Sequence, residues 1–305
     1  MQQKKFTRLA QNKKKERLFI MAVLAYPLLN FFVMYVVVNF NSILLAFQQY
    51  KDDYSLSFAG FKNFSTVLAM MFEGGGELSF SLKNSLLMFA IPFVLGLPLN
   101  MGFSYYIYKK KFASGLIRFL MYIPSIVSGM IMSLVFLYFS ELALPSLLRN
   151  FGIEAPLLLK DPSTAFGTII FYMMWTGFAS NMILYPNAMN AIPNEVVESA
   201  QIDGVTQLQE LLFIVIPLIF PTISTFTVTS VAAIFTASGP IYVFFGYDAK
   251  PYVSTMGYYI FRTTMSDGFT SYPITAAAGL ILTAVSVPVT LFVKWGLQKL
   301  DPTEA

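Results

Sequence analysis

Cysteine and histidine are both absent from the 305 residues. Without cysteine there are no disulfides and no thiolate metal sites. Without histidine there is no Ser-His or Cys-His relay, no HExxH zinc site and no imidazole pH switch. No catalytic residue and no metal site are therefore expected. Charge is scarce too, at 12% of residues. No GxxxxGK[ST] phosphate loop is present, and the one glycine run, Gly74-Gly75-Gly76, is followed by Glu77. What fills the chain is apolar: 56% of residues, with a mean hydropathy of +0.63. Such values fall outside soluble globular norms and inside the membrane class.

Six apolar runs stand out, at 18–46, 84–108, 119–139, 165–187, 211–236 and 273–295. Each is long enough for a helix to cross ~30 Å of hydrocarbon. Backbone groups in lipid must be satisfied within the segment, so the runs predict helices, and the chain is read as an all-α membrane protein with six transmembrane helices. Within these boundaries no Asp, Glu, Lys or Arg lies well inside a run. A stand-alone secondary carrier would need such a group and an internal repeat, and neither is found. Prolines and glycines within or beside the runs, Pro92 with Gly96 and Pro98, Pro124 with Gly129, Pro217 with Pro221, and Pro288, predict kinks.

Residues 1–17 form a basic tail with Lys4, Lys5, Arg8, Lys13, Lys14, Lys15 and Arg17 against the single acid Glu16. Such a tail before a long apolar run reads as a positive-inside anchor and not as a nucleic-acid arm or a cleaved signal peptide. An N-inside arrangement puts thirteen of the twenty Lys and Arg on the inner side and seven on the outer. The chain is thus expected N-in and C-in: the tail, one transmembrane domain at 18–300 and a second cytoplasmic tail at 301–305.

One inner loop departs from the pattern. Residues 192–210 carry Glu195, Glu198, Asp203 and Glu210 and no Lys or Arg. Pro193 suits a first helical turn, Glu195 and Glu198 an N-terminal half, and Gly204 a left-handed stop. Val196, Val197 and Ala200 fall on one side of this short helix, with Glu195, Glu198 and Gln201 on another. Thr206 with Gln209 forms a capping-box pattern that starts a second helix. An acidic, partly apolar inner loop suits a protein partner with a complementary surface.

The order Glu198-Ser199-Ala200, Gly204 and Ile214-Val215-Ile216-Pro217 resembles the Glu-Ala-Ala, Gly, Ile-x-Leu-Pro signature of permease subunits of bacterial ABC importers. Ile192-Pro193 and Ile202-Asp203-Gly204 resemble its carbohydrate branch, which includes oligosaccharide and polysaccharide importers. So do Phe58-Ala-Gly-Phe-Lys-Asn-Phe64 and Leu82-Lys-Asn-Ser85. The resemblance implies a type I importer permease core in the bacterial cytoplasmic membrane. It implies that Glu195, Glu198, Ser199, Ala200, Asp203 and Gly204 dock an ATPase subunit. It also implies a second permease subunit in a heterodimer, two ATPase subunits that bind the ATP and Mg, and an extracellular solute-binding protein. The chain itself would carry no cofactor.

A sugar is held by hydroxyl-matching polar groups and aromatic faces. The fourth and fifth runs offer Trp175, Thr176, Gly177, Ser180, Asn181, Thr229 and Ser230 for a substrate path. Aligned on Glu198, the family's lining positions fall on Met173, Thr176, Gly177, Ser180, Ser230, Ala233, Ile234 and Ala237. Of these, Thr176, Gly177, Ser180 and Ser230 keep a type suited to a polar path; close helix packing by small residues is the other reading. The uncharged spans fit a neutral sugar or oligosaccharide. A non-sugar or phosphorylated solute, or a stand-alone carrier, are the alternatives. The aromatics between Gln48 and Leu82 read as an interfacial layer or as a contact for the solute-binding protein. Residues 237–247 read as a surface loop packing its own aromatics, or as a fold back toward the pore mouth.

Overall fold

The computed structural model describes residues 2–154 and 156–302, the side chains of residues 2–14, 179 and 180 excepted. Its contacts divide the chain into two units, one formed by the chain to Val67 with Phe269–Leu280, the other by Leu68–Gly268 with the chain from Ile281 onward.

In the first unit the basic tail is already helical. α1 (Gln2–Phe31) runs through a π-helical stretch, Phe32–Val37, into α2 (Val38–Ala46). Its membrane-length part, Lys15–Ala46, is apolar all round from Leu18 to Leu44 and exposed over that length, as a helix solvated by lipid is. A short antiparallel hairpin follows, β1 (Gln48–Tyr50) and β2 (Leu56–Phe58), in the register Gln48↔Phe58, Gln49↔Ser57, Tyr50↔Leu56. At its tip the Asp53 carboxylate accepts bonds from the Ser55 hydroxyl at 2.6 Å and the Ser55 amide at 3.0 Å. Those two bonds hold its pKa below the usual carboxylate value. α3 (Lys62–Phe72) is fixed to the strand by Asn63, whose Nδ2 donates to the carbonyls of Ala46 and Gln48. Phe61 and Phe64 pack on Phe47, so part of the aromatic stretch builds a local cluster.

The second unit contains most of the spans. α4 (Glu77–Ile91) and α5 (Leu97–Tyr108) are one continuous rod, joined by the π-helical stretch Pro92–Gly96. Proline there removes one amide and the helix widens instead of breaking. Next comes α6 (Ser114–Ile126), too short to span alone. The predicted run 119–139 is therefore not one helix. Val127 is extended after Pro124, and the third span begins at Gly129 as α7 (Gly129–Tyr138), continuing through Phe139–Ala143 into α8 (Leu144–Asn150). This shift brings Glu141 inside a span, contrary to the expectation of charge-free spans. Glu141 is 8% exposed and Oε1 accepts the Leu159 amide at 2.7 Å, so the carboxylate pins the turn before the fourth span.

α9 (Ala165–Asn190) is the fourth span. α10 (Asn194–Ile202) and α11 (Gln207–Glu210) form the hairpin, and the π-helical stretch Leu211–Val215 leads into α12 (Ile216–Leu218). α13 (Phe220–Ala232) then sets off at 70° to the preceding helix. The predicted fifth run is thus a bent pair, broken at Ile219 between Pro217 and Pro221 where two amides are missing from the ladder. Counting the pair as one span gives six.

The stretch expected as a surface loop is α14 (Ile241–Phe245), whose Ile241 and Phe244 are buried among Phe136, Leu159, Ile169 and Tyr172. It folds back because it has too much apolar surface to leave in water. α15 (Met256–Ser266) and α16 (Tyr272–Lys299) complete the chain; Pro288 leaves α16 continuous.

Two ties lock the end of the bundle where α4 begins. Arg262 makes a two-pronged pair with Glu77 at 2.5 and 2.9 Å, and Asn84 Nδ2 donates to the carbonyls of Pro251 and Ser254. Here α15 starts against bare backbone. A Cβ on Gly257 would stand 2.6 Å from the Thr236 carbonyl oxygen, whereas one on Gly167 would meet nothing within 4 Å. Gly257→Ala is expected to cost about 1–3 kcal/mol through overpacking, seen as a lower midpoint of thermal unfolding in detergent, with Gly167→Ala near the wild-type value.

Candidate functional site

The hairpin has the geometry its residues predict. Gly204 takes the left-handed conformation, φ +76°, and the Thr206–Gln209 capping box is complete. Pro193 stands one residue earlier than a first-turn proline, at the N-cap. Val197 is buried with Tyr185, Met189, Ile192, Val215, Ile219 and Ile223. α10 is therefore cemented to the end of α9 and to the start of the bent pair, and a push on it is transmitted to both. Glu195, Glu198, Ser199, Asp203 and Gly204 are exposed. Ala200 is not: at 7% it faces the bundle with Val197, the burial that the amphipathic pattern predicts.

Exposed apolar groups flank the acids. Ile202 is 86% exposed, and Leu208 and Phe213 also face outward. Apolar side chains at exposed positions of a polar hairpin were the available signal for them, and they convert the acidic patch into a mixed surface of the kind proteins bind.

Glu210, the last acid of the hairpin, does not face outward. It is 2% exposed, and its carboxylate lies 2.5 Å from Lys109 Nζ. The Lys109 ammonium also stands 5.7 Å from the ring centres of both Tyr105 and Tyr108. This pair ties the end of α5 to the end of α11, and it puts the Lys109–Lys111 segment and the hairpin at one end of the bundle.

Between the cluster around Val197 and the cluster around Phe136 lies a cavity of about 330 Å³. Its polar wall is Ser85, Asn100, Asn181, Thr227, Ser230 and Thr255; no Asp, Glu, Lys or Arg lines it. Of the predicted path, Gly177, Asn181 and Ser230 are on the wall, as are Met173, Ala233, Ile234 and Ala237. Trp175 packs against the aromatic cluster of Phe136 and Tyr172. Thr176 and Thr229 bond back to carbonyls of their own helices. Ser180 lies outside the described side chains.

The second span supplies wall residues that the sequence reading did not single out. Ser85, Phe89, Pro92, Phe93, Gly96 and Asn100 all face the cavity, at helical spacing. The small and polar series Ser81, Ser85, Gly96, Asn100, Ser104 was the signal. Asn100 is 7% exposed, and its Oδ1 has no hydrogen-bond partner. An unpaired buried amide oxygen on the wall of an uncharged cavity suits a ligand hydroxyl as donor.

Residues 93–302 match the family model described as binding-protein-dependent transport system inner membrane component. The chain is similar to the multiple sugar-binding transport system permease protein MsmF of Streptococcus mutans, 26% identical over 234 residues, 75% of this chain and 77% of that one. It is similar to the probable ABC transporter permease protein YesP of Bacillus subtilis, 27% identical over 232 residues, 72% of each. In fold it matches a chain of a bacterial alginate ABC transporter crystallised in complex with an alginate pentasaccharide-bound periplasmic protein. The TM-score is 0.78 at 20% identity, over 95% of this chain and 98% of that one.

The buried Lys109–Glu210 pair makes a sharp expectation. Glu210→Gln or Lys109→Met alone strands a charge and is expected to loosen the hairpin by about 3 kcal/mol. Faster amide exchange over residues 194–210 would show it, and the double variant should exchange more slowly than either single one.

Proposed function

The chain belongs to the family of binding-protein-dependent transport system inner membrane components, and on that premise we propose that it is the permease subunit of an ATP-driven importer for a neutral sugar or oligosaccharide. It is a multi-pass inner-membrane protein. The observation that carries the cargo is the cavity: hydroxyls and amides on an otherwise apolar wall, with no charge to bind an ion or a phosphate. Among its relatives a multiple sugar-binding transport system permease supports a sugar as cargo, while others are named for sn-glycerol-3-phosphate.

The power source is the part that the chain lacks. We assign the hydrolysis, with its ATP and Mg, to two partner ATPase subunits that grip α10 through Glu195, Glu198, Ser199, Asp203 and the turn at Gly204. Ala200 holds the helix to the bundle from beneath. Closure of the ATPase pair then displaces α10, and the displacement passes through Val197 and the bent pair to the cavity wall. A second, similar permease in a heterodimer completes the path, and an external binding protein delivers the cargo; the alginate transporter of similar fold was crystallised in complex with an alginate pentasaccharide-bound periplasmic protein. The hairpin is on the inner face in this scheme, in keeping with the Lys and Arg count.

Glu198→Lys reverses a charge at the grip without touching the buried side of α10. It is expected to leave membrane insertion normal and to cut ATP-dependent uptake by about tenfold or more. Unchanged uptake in vesicles energised with ATP would refute the docking role. Gly177 sits on the cavity wall, and a Cβ there would meet nothing within 4 Å. Gly177→Phe should therefore fold, fill part of the cavity and depress sugar uptake while ATP hydrolysis by the assembly persists.

A further inference from the structure

A second cavity, of about 600 Å³, lies wholly within the first unit. The β1–β2 hairpin, the start of α3 and the start of α16 form it, and its wall carries Tyr50, Lys51, Asp52, Tyr54, Lys62 and Thr270. Nothing in the import scheme uses these residues.

Their arrangement is held in place. Tyr54 adopts φ +60°, a left-handed backbone that side chains larger than Asn avoid. Two bonds across the turn impose it, the Tyr54 amide to the Lys51 carbonyl at 2.9 Å and the Lys51 amide to the Ser55 carbonyl at 2.9 Å. The result is a phenol ring that remains 66% exposed while its centre sits 5.7 Å from that of Phe269. Tyr50 meets the same Phe269 edge-on at 5.2 Å. Lys62 is aimed by a bond from Nζ to Gln49 Oε1 at 3.3 Å.

The chemistry of the wall selects a ligand class. Lys51 and Lys62 stand against Asp52, so the wall offers donors and acceptors and its charges largely offset, two cations against one anion. Vicinal hydroxyls pair with such a set, and the C–H face of a pyranose stacks on a fixed tyrosine. The volume is in the range of small-molecule sites. We infer that this cavity is a carbohydrate-binding site of the chain itself, which receives neutral sugar units of the cargo. The inference rests on the import reading above and adds a site that is distinct in residues and location from the uncharged cavity of the bundle.

The test uses the complete assembly in lipid nanodiscs and vesicles, with maltotriose, cellotriose and xylotriose as probes. Binding is read by saturation-transfer NMR and uptake by its KM and maximal rate. Tyr54→Gly removes the ring while keeping the left-handed backbone, and Lys51→Ala removes a donor. Both are expected to weaken binding of the trisaccharide that the native assembly takes up, and to raise its uptake KM about tenfold, with the maximal rate unchanged. If the native assembly imports a probe and both variants keep its KM and binding, the site is refuted and the import reading stands. If no probe is imported but one is bound, and the variants lose that binding, the site stands and the import reading falls. If the native assembly neither binds nor imports any of the three, both are refuted.

Discussion

The contact between Lys109 and Glu210 governs how the second unit can work. It is an ion pair at the end of the bundle, 2.5 Å long with the carboxylate closed to solvent, and two tyrosine rings stand near the ammonium. A pair so placed is costly to form and costlier to break, because either charge left alone stays buried. The hairpin is consequently not a loose flap. It is bound on one side by charge to α5 and on the other by Val197 to the end of α9. The exposed Glu198 face thus belongs to a hairpin anchored to three spans at once.

The wall between the two apolar clusters carries polar groups without charge. Its polar groups are hydroxyls and amides, and two already have a role: Ser85 accepts the Met256 amide, and Thr255 donates to the Ala237 carbonyl. Asn100 has capacity to spare. A neutral, hydroxyl-rich molecule can exchange water for such partners at small net cost, whereas an ion would lose its hydration with no counter-charge to replace it. Glu141, a carboxylate found inside a span against expectation, is turned away to the Leu159 amide and is not among the residues lining the cavity.

How much of this was legible in the sequence followed the range of the interactions. The hairpin was read nearly residue by residue, since its signals are local: a left-handed glycine, a capping box three residues long, an acid-bearing face. The six spans were legible as composition, but their ends were not. Nothing in the run 119–139 announces that Val127 turns extended, and the resulting ten-residue displacement is what hid Glu141. Pro217 and Pro221 flagged a break but could not give its angle. The contribution of the second span to the cavity, and the return of Ile241 and Phe244 into the core, depend on which helices become neighbours, which periodicity within one segment does not encode.

The 70° break at Ile219 has a mechanical meaning. α11 and α12 adjoin the hairpin, while α13 carries Phe226, Thr227 and Ser230 of the cavity wall. An elbow of this kind resolves a thrust along its first arm mainly into a sideways swing of its second. The helix beside the cargo therefore need not slide through the bilayer, with all the re-solvation of side chains that sliding entails. It only has to lean, and a lean of one wall is enough to change the bore of the passage.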